Sequence, residues 1–309
     1  MFNVRTEEEF YKELLEKSIQ AVSGKIDDVI GNITKFMKRW TPEISVSTDS
    51  EIKFKLNLNW MEVKKNPDEI LDLPEKIAAE KGLRLIVCID EFQNISYFDD
   101  PLAFQKKLRS HWQHHKSATY CLYGSKRHMM MDVFTSPAMP FYKFGDLIFL
   151  AKIRREYWIL FIEERFHATG KTISNDQAGL IAGYVDDHPY YVQQLAQLVW
   201  LRTRKKVTDE DISLAWENLI LQMSMLFQNL TEMLATSQMN FLKAVINKEK
   251  QLSSKEIIKK YNLGTSANVV RLKRTLISKE IVDEDAGKVY ILDPLFASWL
   301  KNNYFGGTW

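Results

Sequence analysis

The residues with the clearest chemical potential follow an apolar run. In LRLIVCIDEFQNI the segment Leu85 to Ile89 leads directly into two adjacent acids, Asp90 and Glu91. A buried parallel strand ends in a crevice at its carboxyl edge. There a first acid can hold Mg²⁺ through water, and a second can polarise the water that attacks a phosphate. The same two acids also suit a plain cap of the next helix, so the surrounding segments have to decide. Downstream, ATYCLYGS supplies a second apolar run, Tyr120 to Tyr123, ending at Gly124 and Ser125. Ser125 stands where a polar group on the adjacent strand would feel a terminal phosphate; the alternative is a simple strand-ending turn. A third run, DLIFL from Asp146 to Leu150, predicts a further strand. Arg154 and Arg155 follow it, either to reach phosphate or to open the helix REYWILFIEERF as solvated charges.

These residues need a scaffold, and the composition allows one. Of 309 residues, 45% are hydrophobic and 27% charged, the balance of a globular chain with a sizeable core. That excludes disorder, collagen-like structure and low complexity. Forty-two Lys and Arg face forty Asp and Glu, so any nucleic-acid contact must come from a local patch. Cys88 and Cys121 lie in apolar runs and read as buried, reduced thiols of an intracellular protein, which excludes a disulfide framework. The apolar runs are far short of the roughly 20 residues of a membrane span, and MFNVRTEEEF lacks the core of a signal peptide. The expected location is cytoplasmic, with no membrane partner.

Three regions follow from the patterning. Residues 1–152 alternate short β-type runs with helical stretches, as a parallel sheet with helices on its faces requires. KFKLNLNW, with Phe54, Leu56, Leu58 and Trp60 alternating with polar residues, predicts a half-exposed strand. Residues 153–235 have helical spacing, as in Trp158, Phe161, Ile162 and Phe166, or Tyr191, Leu195, Leu198 and Val199. Residues 236–309 read helix, helix, hairpin, with Gly264 in the inter-helix turn, Thr265 or Ser266 as cap, and a polar turn at DEDAGK. From Gln251 to Lys279 seven basic residues face a single acid, Glu256. Asn268, Arg271 and Lys273 are the side chains expected to meet DNA, although such modules also dock proteins. His111, His114 and His115 share helical spacing, but metal binding needs three or four convergent ligands, so a packed or solvated helix is the plainer reading.

Together, LPEKIAAEKG, LIVCIDEFQNI, YCLYGSKRHMM and GYVDDHPYYVQQLAQLVW resemble the archaeal-type ATPases, a branch of the AAA and STAND P-loop nucleoside triphosphatases. The resemblance covers nearly the whole chain. It implies an α/β nucleotide-binding core, a helical lid at 153–235 and a C-terminal winged helix at 236–309, with ATP and Mg²⁺ as cofactors. By resemblance Asp90 and Glu91 are the Walker B acids, with Asp90 toward the metal. Ser125 takes the sensor position, and Pro189 is the lid proline that lies against the base. Arg155 joins Asp90 and Pro189 on the nucleotide side. His188 departs from the pattern, standing where a small residue is usual. The expected partners are DNA or a protein held by the winged helix, with self-association left open.

One part of the family pattern is missing. The phosphate-cradling G-x-x-x-x-G-K-[ST] loop occurs nowhere in residues 1–309. Gly24-Lys25 is followed by Ile26, and Gly287-Lys288 by Val289. Gly170-Lys171-Thr172 has Arg165 at the first glycine position and follows a helix, so Gly170 reads as a helix end. The expected core is therefore a truncated P-loop sheet beginning just after the loop. Its lost central strand should leave unpaired backbone and bare apolar side chains. Such a chain would have little nucleotide affinity or hydrolysis, and the alternative function is a non-catalytic winged-helix binding module.

Overall fold

A computed structural model describes residues 4–23, 43–47, 53–57, 67–285 and 287–306. They fall in two compact units, Met1–Ile148 and Phe149–Trp309. Leu58 and Trp60 of the expected alternating strand lie outside the described residues.

The first unit opens with helix α1 (Glu7–Gln20), whose first turn is held by Thr6 Oγ1 accepting from the Glu9 amide at 3.2 Å. Phe10, Tyr11, Leu14, Leu15 and Ile19 line one face at helical spacing and are buried. Strands β1 (Glu43–Ser47) and β2 (Lys53–Asn57) pair antiparallel, Glu43 opposite Asn57. Helices α2 (Pro67–Leu71) and α3 (Leu73–Lys81) follow, and Gly82, at φ 64°, ends α3 in a left-handed turn. Strands β3 (Leu85–Ile89) and β4 (Ala118–Leu122) then pair in parallel, Leu85 opposite Ala118 and Ile89 opposite Leu122. Between them run a 3₁₀ turn (Phe92–Tyr97) and helix α4 (Pro101–Trp112), capped by Asp100 Oδ1 on the Ala103 amide at 3.0 Å. Helix α5 (Arg127–Thr135) follows the sheet.

The core of this unit lies on one face of that small parallel sheet. Phe104, Leu108 and Trp112 of α4 join Phe10, Tyr11, Phe92 and Phe141 in it, with Val87, Tyr120 and Leu122 packed from the strands. Trp112 stacks on Tyr120 at 4.1 Å. Successive strand residues point to opposite faces, and the second face is bare. Ile86 is 67% exposed, and Cys88 and Cys121 are exposed rather than buried. The expectation of buried thiols fails because an apolar run does not say how many faces of its sheet are covered. The expected third strand also fails: residues 146–150 have no strand pairing, and Ile148 and Leu150 are 83% and 93% exposed. Among the described residues β3 and β4 form a two-stranded sheet.

The second unit is helical before its C-terminal module. It contains α6 (Arg155–His167), α7 (Asn175–Tyr184), α8 (Pro189–Arg202) and α9 (Asp209–Glu232). Ser174 with Gln177, and Thr208 with Asp211, form capping boxes that set the starts of α7 and α9. Next come α10 (Thr236–Ile246), α11 (Lys255–Lys260), α12 (Ser266–Ser278), the antiparallel strands β5 (Val282–Asp285) and β6 (Lys288–Ile291), and α13 (Pro294–Trp299). Gly264, at φ 83°, turns the chain between α11 and α12, and Thr265 caps α12 by accepting from the Asn268 amide at 3.2 Å. One buried cluster runs from Trp158 through Tyr191 and Phe227 to Leu276, Phe296 and Leu300.

Candidate functional site

In the first unit, the carboxyl ends of β3 and β4 bring three expected residues together. Backbone pairing continues past both strands, Tyr123 N to the Ile89 carbonyl at 3.1 Å and Phe92 N to the Tyr123 carbonyl at 3.0 Å. This holds Asp90 and Glu91 beside Gly124 and Ser125. Ser125 Oγ lies 3.1 Å from both carboxylate oxygens of Glu91, to which its hydroxyl donates. Gln93 Nε2 donates to the same carboxylate. Asp90 Oδ1 accepts from the Glu91 amide at 2.9 Å, which leaves its other oxygen unengaged among the described residues. Glu91 itself is in the left-handed region, φ 50°, a conformation that costs a non-glycine residue about 1–2 kcal/mol. Strain of this kind gathers where a side chain must be aimed.

Gln93 and Gly124 were not singled out from sequence. Gln93 is fully buried, and its Oε1 has no hydrogen-bond partner among the described residues. A Cβ built on Gly124 would stand 1.8 Å from that oxygen, so only glycine allows the approach. The available signal was positional: a polar amide three residues after Asp90, facing a glycine at the end of the neighbouring strand. Tyr123, on the bare side, has its phenol held above the ordinary value by desolvation and then by the Asp90 carboxylate.

A hydrated Mg²⁺ suits an acid pair with one free oxygen on Asp90. A triphosphate does not fit these residues alone, because the backbone cradle and the metal-binding hydroxyl that follows it have no counterpart in residues 1–309. Lys171 of the remaining Gly-Lys-Thr donates to the Trp200 carbonyl at 2.5 Å and lies over the Trp200 ring, while Gly170 at φ 74° lies just past the end of α6. Among the described residues no group of three His, Cys, Asp or Glu is placed to hold a metal directly. His111 of α4 and His115, just past its end, instead tie this segment to the junction of α2 and α3. His111 Nδ1 is 2.6 Å and His115 Nε2 3.3 Å from Asp72 Oδ1.

Arg155 and Pro189 belong to the second unit. Arg155 donates from Nε and Nη2 to the two oxygens of Asp187 at 2.9 and 2.8 Å, a fork that braces the turn before α8. Asp186 and Asp187 are both left-handed there, and Lys152 pairs with Asp186. Pro189 occupies the first turn of α8, where its missing N–H costs nothing. Burial holds the preceding His188 below its ordinary imidazole value.

The three winged-helix residues sit on α12, and all three are engaged internally. Asn268 Nδ2 donates to the Leu263 carbonyl at 2.8 Å, and its Oδ1 accepts from Arg271 Nη2 at 2.7 Å. Lys273 Nζ reaches both oxygens of Glu284 on β5, at 2.9 and 2.8 Å. The β5 sequence VDED adds Asp283, Glu284 and Asp285, so through residue 285 the seven bases meet five acids. Of these bases Lys273 is the one shown paired with an acid of β5.

Comparison with known proteins bears on the fold. A family model described as "Probable winged helix domain" matches residues 225–302. A Walker-type ATPase of Pyrococcus abyssi is similar in structure, with a TM-score of 0.62 and 16% identity over 96% of this chain and 79% of that one. A RuvB mutant of Thermotoga maritima aligns with a TM-score of 0.36 and 14% identity, over 70% of this chain and 71% of that one. None of the curated proteins matches in sequence. The chain thus has a helix-rich α/β fold with a small parallel sheet, like that of a Walker-type ATPase, and a C-terminal winged helix. Among the described residues no helix is long and apolar enough to cross a membrane.

Proposed function

We propose that this chain is a relative of the AAA and STAND nucleotide switches whose own residues hold only the acid half of an ATP site. In this reading Asp90 carries Mg²⁺ through water, Glu91 polarises a water, and Ser125 registers the terminal phosphate. Arg155 and Pro189 belong to the same reading, as lid contacts for phosphate and base. The hydrogen bonding of Ser125 to Glu91 across the carboxyl ends of two parallel strands supports it, since that edge is where such folds bind ligands. Because the phosphate cradle is missing from residues 1–309, the chain has no turnover of its own. Calorimetry of Mg²⁺-ATP on this chain, and on a fusion that places a strand and a G-x-x-x-x-G-K-[ST] loop ahead of residue 1, tests the reading. Binding by the fusion alone is expected, with Glu91→Gln in the fusion keeping binding and losing turnover. Glu91-dependent turnover by the 309-residue chain would overturn it.

A second reading rests on the wing. With Lys273 paired to Glu284 and three acids on β5, the winged helix suits docking to a protein better than gripping DNA. Fluorescence anisotropy with a short duplex is expected to show weak binding that tightens when Asp283→Asn and Glu284→Gln are combined. Tight, salt-dependent DNA binding by the unaltered chain, indifferent to ATP, would reverse this preference.

A further inference from the structure

Cys88 and Cys121 are Cα partners in the parallel ladder of β3 and β4. Both are free and exposed, on the bare face of the sheet that also carries Ile86. Neighbouring strands lie about 4.8 Å apart, inside the roughly 4.4–6.8 Å span between Cα atoms that a disulfide bridges. Partners in a parallel pair stand side by side without converging, so an S–S bond between them forms under strain. Strained, exposed disulfides are the readily reduced ones. The chain has no third cysteine to compete.

We propose that Cys88 and Cys121 are a modification site, a thiol pair that a small disulfide such as oxidised glutathione converts reversibly into a cross-strand disulfide. One cysteine thiolate attacks a sulfur of the oxidant, forming a mixed disulfide and releasing one reduced glutathione. The second thiolate then attacks the first cysteine's sulfur, forming the Cys88–Cys121 bond and expelling the second glutathione. The two cysteines lose two electrons, the small disulfide gains them, and the two thiol protons end on the released glutathiones. The bond clamps the strands just before the ends that carry Asp90, Glu91 and Ser125. It requires no nucleotide, so it stands or falls separately from the ATP reading.

The test uses the full chain, reduced, desalted and incubated with excess oxidised glutathione, read by intact mass and by thiol titration. The expected product is a monomer lighter by two hydrogens, with both thiols lost and both restored by reduced glutathione. Cys88→Ser and Cys121→Ser should each carry one stable glutathione adduct instead. Both side chains are exposed, so serine is accommodated, and far-ultraviolet circular dichroism checks the fold of each variant. Stable glutathione adducts on the unaltered chain, a disulfide-linked dimer, or two unreactive thiols would each overturn the proposal.

Discussion

The two units solve the burial of apolar surface differently. In the second, Trp158 of α6, Tyr191 of α8, Phe227 of α9, Leu276 of α12 and Phe296 of α13 all enter one cluster. A helix has one apolar stripe to hide, and a neighbouring helix is enough to hide it. In the first unit α3, and α4 through Trp112 on Tyr120, pack against the β3–β4 sheet, while Ile86, Cys88 and Cys121 on its other face meet solvent. A parallel strand has two faces and two edges to satisfy, so it depends on more partners than a helix does. The contrast shows that a continuous helical core can form while the sheet that positions the acids is covered on one face.

The largest test of this contrast is Phe296→Ala. Phe296 is fully buried, stacks with Trp299 and packs at a tilt against Phe227 in the shared cluster. Its removal should cost about 3–5 kcal/mol, read as a lowered midpoint in urea unfolding. A loss below about 1 kcal/mol would mean that the helices and the winged helix do not share one core.

Next comes acid. Burial works to raise the Asp72 carboxyl, but the hydrogen bonds and charge of His111, and then His115, hold it below its ordinary value. Burial likewise opposes, and the amides of Lys116, Ala118 and Ser117 outweigh, in lowering Glu75. Burial lowers His115 from 6.5 against the pull of Asp72. A group whose folded pKa is depressed stabilises fully above its unfolded pKa and loses that contribution as pH falls through the folded one. The first unit should therefore weaken as pH drops below about 6.5, with the carboxylates extending the loss at lower pH. Thermal unfolding across this range should show the upper part of the slope flattened by His115→Gln. His188 has the same sign in the second unit, so His188→Gln serves as the paired control. At neutral pH Glu75→Gln, which weakens a charged acceptor for three amides at the start of β4, should cost about 1.5–3 kcal/mol.

A smaller effect is expected at Arg155. Its fork on Asp187 is partly exposed, so Arg155→Ala should cost about 1 kcal/mol or less. Arg155→Lys should lose as much, because an ammonium cannot make both bonds. A larger loss of ATP affinity than of stability, measured in the loop-bearing fusion, would favour its nucleotide role over the brace.

What was legible in the sequence follows the same division. The strand before Asp90, the strand before Ser125 and the helix, helix, hairpin order appear because each is written in local periodicity. Gly170 reads as the end of a helix for the same reason. The exposure of Cys88 and Cys121 was not legible, since a strand's own run carries no record of what covers it. DLIFL has the composition of a strand, yet residues 146–150 pair with nothing among the described residues. The spacing of His111, His114 and His115 predicted a shared helix, but α4 ends at Trp112 and leaves His114 and His115 beyond it; Asp68 and Asp72, which His111 and His115 meet, come from α2 and the turn before α3. Lys273 looked available until β5 folded back and brought Glu284 to it.

The smallest expected effect is the most diagnostic. Ile86→Thr exchanges an apolar side chain for a β-branched polar one on the bare face, where strand propensity is preserved and little apolar area is hidden. In the 309-residue chain its effect should stay within about 0.5 kcal/mol in urea unfolding. In the fusion that supplies a further strand and loop, any segment settling on that face would bury Ile86, and the same substitution should then cost about 1 kcal/mol or more. Reactivity of Cys88 and Cys121 should fall in parallel, because they share the face. A cost above about 1 kcal/mol already present without the fusion would mean that the face is covered in solution. The contrast between the two units would then disappear.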